Sequence, residues 1–173
     1  MSVEIIGWIA PRVSSEIMPP SGPPFNAEVI AETARIHEQA GFDRVLIGYF
    51  SHAPDGFLIG AHAAAVTRRL QFLLAHRPGF VAPTVAARKL ATLDHLSGGR
   101  TAVHLITGGS DAEQARDGDF TDHDARGRVS DWHFGLATLH DLVGVTACPS
   151  VIAQVRCDSF AQLRIAAARG ILK

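Results

Sequence analysis

The feature that most constrains the fold is a regular alternation of short apolar runs with longer helical patterns over residues 1–107. Each apolar run has the length of a buried strand, and one segment with helical periodicity separates it from the next. Strands that alternate with helices in this way predict a parallel sheet with right-handed crossover connections. The four predicted strands are Glu4–Ala10, Arg44–Phe50, Leu70–Ala75 and Thr101–Thr107.

Capping signals place the helices between these strands. Asn26 is a suitable N-cap for a helix over 27–40, and Asp55 is suitable for the second helix. Pro83 fits the first turn of the third helix, which Gly98-Gly99 ends. Helical spacing predicts buried faces formed by Leu58, Ala61, His62, Ala65 and Val66 on the second helix and by Leu90, Leu93 and Leu96 on the third.

Two architectures use such a pattern: an open doubly wound sheet and a (β/α)8 barrel. No GxGxxG follows the first strand, so the dinucleotide-binding version of the open sheet lacks its phosphate fingerprint. A complete barrel takes about 250 residues, whereas this chain has 173. The pattern therefore predicts half of a barrel, or a small open-sheet binding protein if the C-terminal region adds a fifth strand. Val151–Val155 is the candidate for that strand.

The pattern changes after Gly108. Residues 108–126 form a polar, acidic excursion that is too long for an ordinary turn, and long loops of this kind often carry function. Their acidic run lacks the central Gly and terminal Glu of an EF-hand, so we expect a solvated loop rather than a calcium site. Further along, residues 134–143 and 159–169 are candidate helices.

Composition excludes several classes of function. The net charge of −1 gives no electrostatic footprint for a nucleic acid or an anionic membrane. No apolar stretch approaches the length of a membrane span, and the N-terminus lacks the basic region of a secretion signal. We therefore expect a cytoplasmic protein. Cys148 and Cys157 match no redox or zinc spacing and are expected to be free thiols, with a disulfide between them as the alternative. The nine scattered histidines predict no metal site.

Candidate site residues follow the predicted strands, because the carboxyl ends of parallel strands are where binding sites form. These residues are Tyr49 and Phe50 after the second strand, His76 and Arg77 after the third, and Thr107–Gly109 after the fourth, with His104 inside the fourth strand. Aromatic rings, an arginine and free amides suit a flat anionic ligand such as a flavin. The alternative is structural: rim aromatics, a solvated strand end at His76 and Arg77, and an ordinary glycine turn.

Three stretches of this sequence resemble the bacterial luciferase-like flavin monooxygenases, and within them most nearly the alkanesulfonate monooxygenase branch. The stretches are AGFDRVLIGY at 40–49, the segment 51–100 that ends in APTVAARKLATLDHLSGGR, and VHLITGGSDAEQARDGDFTDHDAR at 103–126. Their order and spacing make the signal specific. The resemblance covers residues 1–126, which we therefore take as a partial barrel, and leaves 127–173 as a divergent tail.

The resemblance implies a (β/α)8 barrel that uses reduced FMN from a separate flavin reductase, together with O2, to oxidise a small organic substrate such as a sulfonate. It also implies that five residues contact the flavin: Tyr49, Phe50, His104, Glu113 and Arg126. No catalytic residue is implied within this chain.

The departures from the family pattern set further expectations. Gly127 stands where relatives carry a tyrosine, and Ala53 where the alkanesulfonate enzymes carry a cysteine. Family members are about twice as long, which makes this chain resemble the N-terminal half alone. Such a half would leave its first and fourth strands as open edges, so we expect self-association. The alternative to an active monooxygenase is an inactive fragment that binds flavin or associates with itself.

Overall fold

The computed structural model describes residues 3–14, 17–77, 79–106, 110–120 and 153–155 of the chain. Strands and helices alternate along it, which confirms the predicted order. The elements are β1 (Ile6–Ile9), α1 (Ala27–Gln39), β2 (Arg44–Ile47), α2 (Gly56–Ala65), β3 (Gln71–His76), α3 (Pro83–Ser97), β4 (Thr101–Leu105), α4 (Asp111–Ala115) and β5 (Ala153–Val155). The candidate helices at 134–143 and 159–169 lie outside the described residues.

The five strands form one parallel sheet in the order β1-β2-β3-β4-β5. Neighbours in sequence are neighbours in space, as in the N-terminal part of a (β/α) barrel. The predicted strand near Val151–Val155 is confirmed at its C-terminal end. The expectation that β4 is an open edge is wrong, because Val103 pairs with Ala153 and the backbone groups of β4 find partners on β5.

The main core lies between one face of the sheet and the helices. Alternate strand residues point to this face, because side chains on a strand have a period of two. Buried residues of β2, β3 and β4 pack there against buried residues of all three long helices. This core includes Val45, Ile47, Phe72, Leu74, Val103, Ile30, Ala34, Ile59, Ala63, Leu90 and Leu93.

The predicted helix caps are confirmed. Oδ1 of Asn26 accepts hydrogen bonds from the backbone N–H groups of Glu28 and Val29 at 3.0 and 3.2 Å. Asp55 caps α2 in the same way. Gly98 ends α3 with a φ of 69°. This is a left-handed conformation that glycine adopts without the steric cost of a Cβ.

The predicted buried face of α2 is wrong. Leu58 is 72% exposed, whereas Ile59, Gly60 and Ala63 are buried. Nearly every face of α2 is apolar, so periodicity alone does not fix its rotation about its axis. Close packing fixes it instead, because a Cβ added at Gly60 would lie 3.1 Å from Cδ2 of Leu74.

On α3, Leu90 and Leu93 are buried as predicted, but Leu96 is 67% exposed. Leu96 lies in the last turn, just before the chain leaves the helix through Gly98. There the apolar spacing continues beyond the part of the helix that contacts the core.

Arg100 connects three elements at the amino end of the sheet. Its guanidinium donates to the carbonyl oxygens of Ala64, Thr67, Leu70 and Ser97 and to the hydroxyl of Thr67. Five hydrogen bonds match the five N–H donors of an arginine. The side chain thereby ties the end of α2 to the start of β3 and the end of α3.

A second connection at this end is made by Glu38 of α1. Its Oε1 accepts hydrogen bonds from the consecutive backbone N–H groups of Arg68, Arg69 and Leu70, at 2.8, 2.6 and 3.0 Å. Burial raises the pKa of this carboxyl, but the three backbone hydrogen bonds outweigh it and leave the pKa below its ordinary value. At the amino end of the sheet, Arg100 and Glu38 therefore connect neighbouring elements through hydrogen bonds to other groups of the protein.

Candidate functional site

A cavity of about 220 Å³ opens at the carboxyl ends of β2 and β3. It lies between the loop after β2, the loop after β3 and the segment that follows α4. This is the end of a parallel sheet where βα loops build ligand sites. The lining includes Tyr49, Phe57, His76, Arg77, Phe80, Lys89 and Asp117.

Arg77 is the central charged group of the cavity, and it is only 3% exposed. Its Nη2 forms an ion pair with Oε2 of Glu113 and donates to the carbonyl oxygen of Tyr49 at 3.4 Å. Its Nη1 lies 3.7 Å from Oδ2 of Asp117. This separation gives a charge contact without a hydrogen bond. Nε and Nη1 donate no hydrogen bond to any residue that the structure describes.

Glu113 joins three successive βα loops. One carboxylate oxygen pairs with Arg77 after β3, and the other accepts the backbone N–H of Ser51 after β2 at 2.6 Å. Burial raises the pKa of Glu113, but the Ser51 hydrogen bond and the Arg77 guanidinium lower it more, so its pKa lies below the ordinary value. The carboxylate is therefore charged at neutral pH and holds α4 against the cavity.

Two stacked aromatic rings form one wall. The centroids of Tyr49 and Phe80 are 6.3 Å apart with an interplanar angle of 27°. The guanidinium carbon of Arg77 lies 4.6 Å from the centroid of the Tyr49 ring. Burial, and then the charge of Asp117, raise the pKa of Tyr49, so its phenol stays protonated.

Phe57 also lines the cavity and contacts two basic residues. His76 meets its ring edge-on, with centroids 6.0 Å apart, and Nζ of Lys89 lies 4.3 Å above its face. Lys89 also lies 3.6 Å from Oδ2 of Asp55, the cap of α2. The cavity is thus lined by aromatic rings and by charged side chains that form ion pairs with one another.

The structure brings some of the predicted flavin-contacting residues together and separates others. Tyr49 and Phe50 line the cavity, and Phe50 is 44% exposed. Glu113 does not line the cavity itself but binds Arg77 and Ser51, which do. His104 is half-buried in the middle of β4, in register with Ala75, and does not line the cavity. Arg126 lies outside the described residues, as do Gly108 and Gly109.

Arg77 is one of the candidates predicted from its position after the third strand, whereas Asp117 was expected only in a solvated acidic loop. The alternative of a solvated strand end is wrong for His76 and Arg77, which are 4% and 3% exposed. Two signals were present: a basic pair directly after a buried strand, and an acidic run one crossover later. What the sequence could not supply was the pairing of Arg77 with Glu113 across 36 residues.

The cavity fits a flat, polar ring system better than a multiply charged group. The aromatic rings offer stacking surfaces, while Arg77 and Asp117 offer polar contacts. Three carboxylates lie near two cationic side chains, so a phosphate dianion inside would be repelled. Ligand cavities usually have about 300–1,000 Å³, so this space accommodates the end of a ring system. Among the described residues, no cluster of His, Cys, Asp or Glu could hold a metal ion.

A parallel sheet that alternates with helices, with its cavity at the carboxyl ends of the strands, defines the N-terminal part of a (β/α)-barrel enzyme fold. The family model described as luciferase-like monooxygenase matches residues 3–132. The chain belongs to this family.

Solved structures with the same fold include three monooxygenases. EDTA monooxygenase from Chelativorans sp. BNC1 has a TM-score of 0.72 at 15% identity, covering 94% of this chain and 51% of that one. Long-chain alkane monooxygenase has a TM-score of 0.71 at 16% identity, covering 96% and 55%. The oxygenating constituent of 3,6-diketocamphane monooxygenase from Pseudomonas putida, solved with FMN, has a TM-score of 0.60 at 18% identity, covering 76% and 38%. The chain thus spans about half the length of the first two.

None of the described helices is both long and apolar enough to cross a bilayer.

Proposed function

We propose that this chain provides the flavin-binding part of a monooxygenase that uses reduced FMN and O2. The observation that carries the proposal is the buried Arg77, which has two N–H donors without a partner among the described residues and lies beside stacked aromatic rings at the carboxyl end of the sheet. Membership of the luciferase-like monooxygenase family supports it. So does the fold shared with a diketocamphane monooxygenase that was solved with FMN.

Each described residue has a distinct part in this function. Tyr49 and Phe80 provide aromatic surface against which a ring lies, and Phe57 adds a third aromatic ring to the lining. Arg77 donates to oxygen or nitrogen atoms at the ring edge. Glu113 positions Arg77 and joins the surrounding loops, which shields the ring from water. A reduced flavin, when bound, would supply the electrons that activate O2.

The finer parts of the proposal concern the substrate and the partners. We propose a small organic substrate, with a sulfonate favoured by the resemblance to the alkanesulfonate branch. A separate flavin reductase would deliver reduced FMN, and both proteins would work in the cytoplasm. Of the five flavin contacts proposed from the resemblance, Tyr49 and Phe50 have the most direct support, since both line the cavity.

The first test is an anaerobic titration of the whole chain with reduced FMN, with oxidised FMN as the comparison. We expect saturable binding, and we expect Arg77→Met to weaken it at least tenfold, since bonds to charged donors are worth about 1.5–3 kcal/mol. Arg68→Met is the matched control, because that side chain is exposed at the amino end. A folded wild-type chain that binds no flavin would refute the proposal.

The residues carried over from the family are tested in the same titration. His104→Ala and Arg126→Ala should each weaken FMN binding. Unchanged affinity in both variants would show that these two positions do not contact the flavin.

A second candidate function, an inactive chain that binds flavin or associates with itself, is favoured by one observation. On β1, Ile6 and Trp8 are 42% and 44% exposed, although both are large apolar residues on a strand paired on one side among the described residues. Exposed strand edges and apolar faces favour association. Sedimentation of the wild type and of Trp8→Glu tests this: self-association predicts that the substitution shifts the chain toward monomer, whereas a monomeric wild type argues against it.

A further inference from the structure

We propose that Arg77 and Asp117 together read the imide edge of the flavin ring, where a carbonyl lies next to an N–H. Arg77 would donate to the carbonyl oxygen, and Asp117 would accept the N3–H. This inference rests on the proposed function and adds a specific recognition contact to it. Neither residue is among the flavin contacts implied by the family resemblance.

The donor side of this contact is Arg77. A buried guanidinium that leaves N–H groups without acceptors loses free energy, because those groups have given up their hydrogen bonds to water. Nη2 is used internally, by Glu113 and the carbonyl of Tyr49. Nε and Nη1 have no hydrogen-bond acceptor among the residues that the structure describes. A ligand oxygen in the cavity would satisfy them.

The acceptor side is Asp117. Its Oδ2 is shielded from solvent and accepts no hydrogen bond from the described residues, although the side chain lines the cavity. This oxygen lies 3.7 Å from Nη1 of Arg77. Because that separation exceeds the length of an N–H···O hydrogen bond, the ion pair leaves Nη1 of Arg77 and Oδ2 of Asp117 able to bond to a third molecule.

The arrangement selects a particular edge chemistry. A donor and an acceptor side by side are complementary to a ring edge that presents an acceptor beside a donor. An anion offers acceptors only and would be repelled by Asp117, while a cation would be repelled by Arg77. The aromatic rings of Tyr49 and Phe80 line the same cavity as this pair of side chains. The pyrimidine ring of a flavin carries an edge of this kind.

The test compares FMN with its N3-methyl derivative, which keeps the carbonyls and removes the N3–H. Both are titrated into the whole chain by flavin fluorescence, in the redox state that the wild type binds more tightly. We expect the methyl group to weaken binding to the wild type by tenfold or more, the scale of one hydrogen bond to a charged group. Asp117→Ala should bind FMN more weakly than the wild type does. Its affinities for the two flavins should differ by less than about threefold.

Two further variants serve as controls. Asp119→Ala, two residues away in the same segment, should discriminate like the wild type. Asp117→Asn keeps an acceptor oxygen and should retain part of the preference for FMN over its N3-methyl derivative. This variant keeps the test decisive if Asp117→Ala fails to fold.

The outcomes separate the two proposals. Equal binding of both flavins by the wild type would overturn the imide contact and leave flavin binding intact. Undiminished discrimination by a folded Asp117→Ala would also overturn it. If the wild type bound neither flavin, the proposed function and this inference would fail together.

Discussion

The two ends of the sheet each hold a buried or half-buried arginine, and they use it differently. At the amino end, Arg100 places all five N–H donors on oxygens of the protein, four of them on backbone carbonyls. At the carboxyl end, Nε and Nη1 of Arg77 donate to none of the described residues, and the guanidinium forms ion pairs with Glu113 and Asp117. A satisfied arginine stabilises the fold, whereas one with unused donors is available to a ligand.

The largest expected effect is the loss of Arg100. Arg100→Met would leave carbonyl oxygens at the end of α2 and the start of β3 without donors, and these backbone groups cannot move away. We expect the free energy of unfolding to fall by about 3 kcal/mol. Arg77→Met should lower the free energy of unfolding by only about 1.5 kcal/mol, because the partly exposed carboxylates of Glu113 and Asp117 can turn toward solvent. Urea unfolding measures both, and equal losses would contradict the comparison.

Two glycines extend the comparison to packing. A Cβ at Gly7 would overlap the imidazole ring of His37, which is held by its hydrogen bond to the carbonyl of Thr33. Gly7→Ala should therefore lower the free energy of unfolding by about 2 kcal/mol.

At the carboxyl end, a Cβ at Gly48 would meet the ring tips of Trp8 and Phe50 at 2.6 and 2.7 Å. Both rings are 44% exposed and can swing outward. Gly48→Ala should therefore cost less than about 1 kcal/mol. His37→Ala in the Gly7→Ala background should recover part of the larger loss. Without that recovery, the contact with His37 is not the cause.

A smaller effect is expected from acid. Glu38 and Glu113 have folded-state pKa values below the ordinary 4.5. Each therefore adds stability that is present above the unfolded-state pKa and is lost as the pH falls through the folded-state pKa.

Urea unfolding between about pH 7 and about pH 3 should show this loss in the wild type. Glu38→Gln and Glu113→Gln should each remove a part of it, the first at the amino end and the second at the carboxyl end. Glu113→Gln should also weaken flavin binding, because Arg77 loses its partner. If Glu113→Gln lost stability but bound flavin as tightly as the wild type, Glu113 would not position Arg77.

The smallest effect concerns Lys89. Its ion pair with Asp55 spans 3.6 Å between side chains that are 38% and 46% exposed. Such pairs contribute little, so Lys89→Met should change the free energy of unfolding by about 0.5 kcal/mol or less. A larger loss in the same urea measurement would show that the contact with Phe57 carries more stability than we assign to it.

The fold was predictable from the sequence where local signals decide the structure. Asn26, Asp55 and Gly98 act through neighbours within a few residues, so the caps and the order of elements could be predicted. The buried face of α2 could not, because its rotation depends on the contact of Gly60 with Leu74. The same holds for the site: its position at the strand ends follows from topology, whereas the burial of Arg77 depends on a partner far along the chain.

The link that Glu113 makes between three loops limits how this end of the molecule can change. Its two carboxylate oxygens hold the backbone after β2 and the arginine after β3, while Glu113 itself belongs to the segment after β4. A residue inserted into any one loop would break a contact that the other two depend on. Loops at the carboxyl end of a barrel are where new specificities arise by variation. Here these three are expected to vary together, and an engineer who transplants one would need to transplant all three.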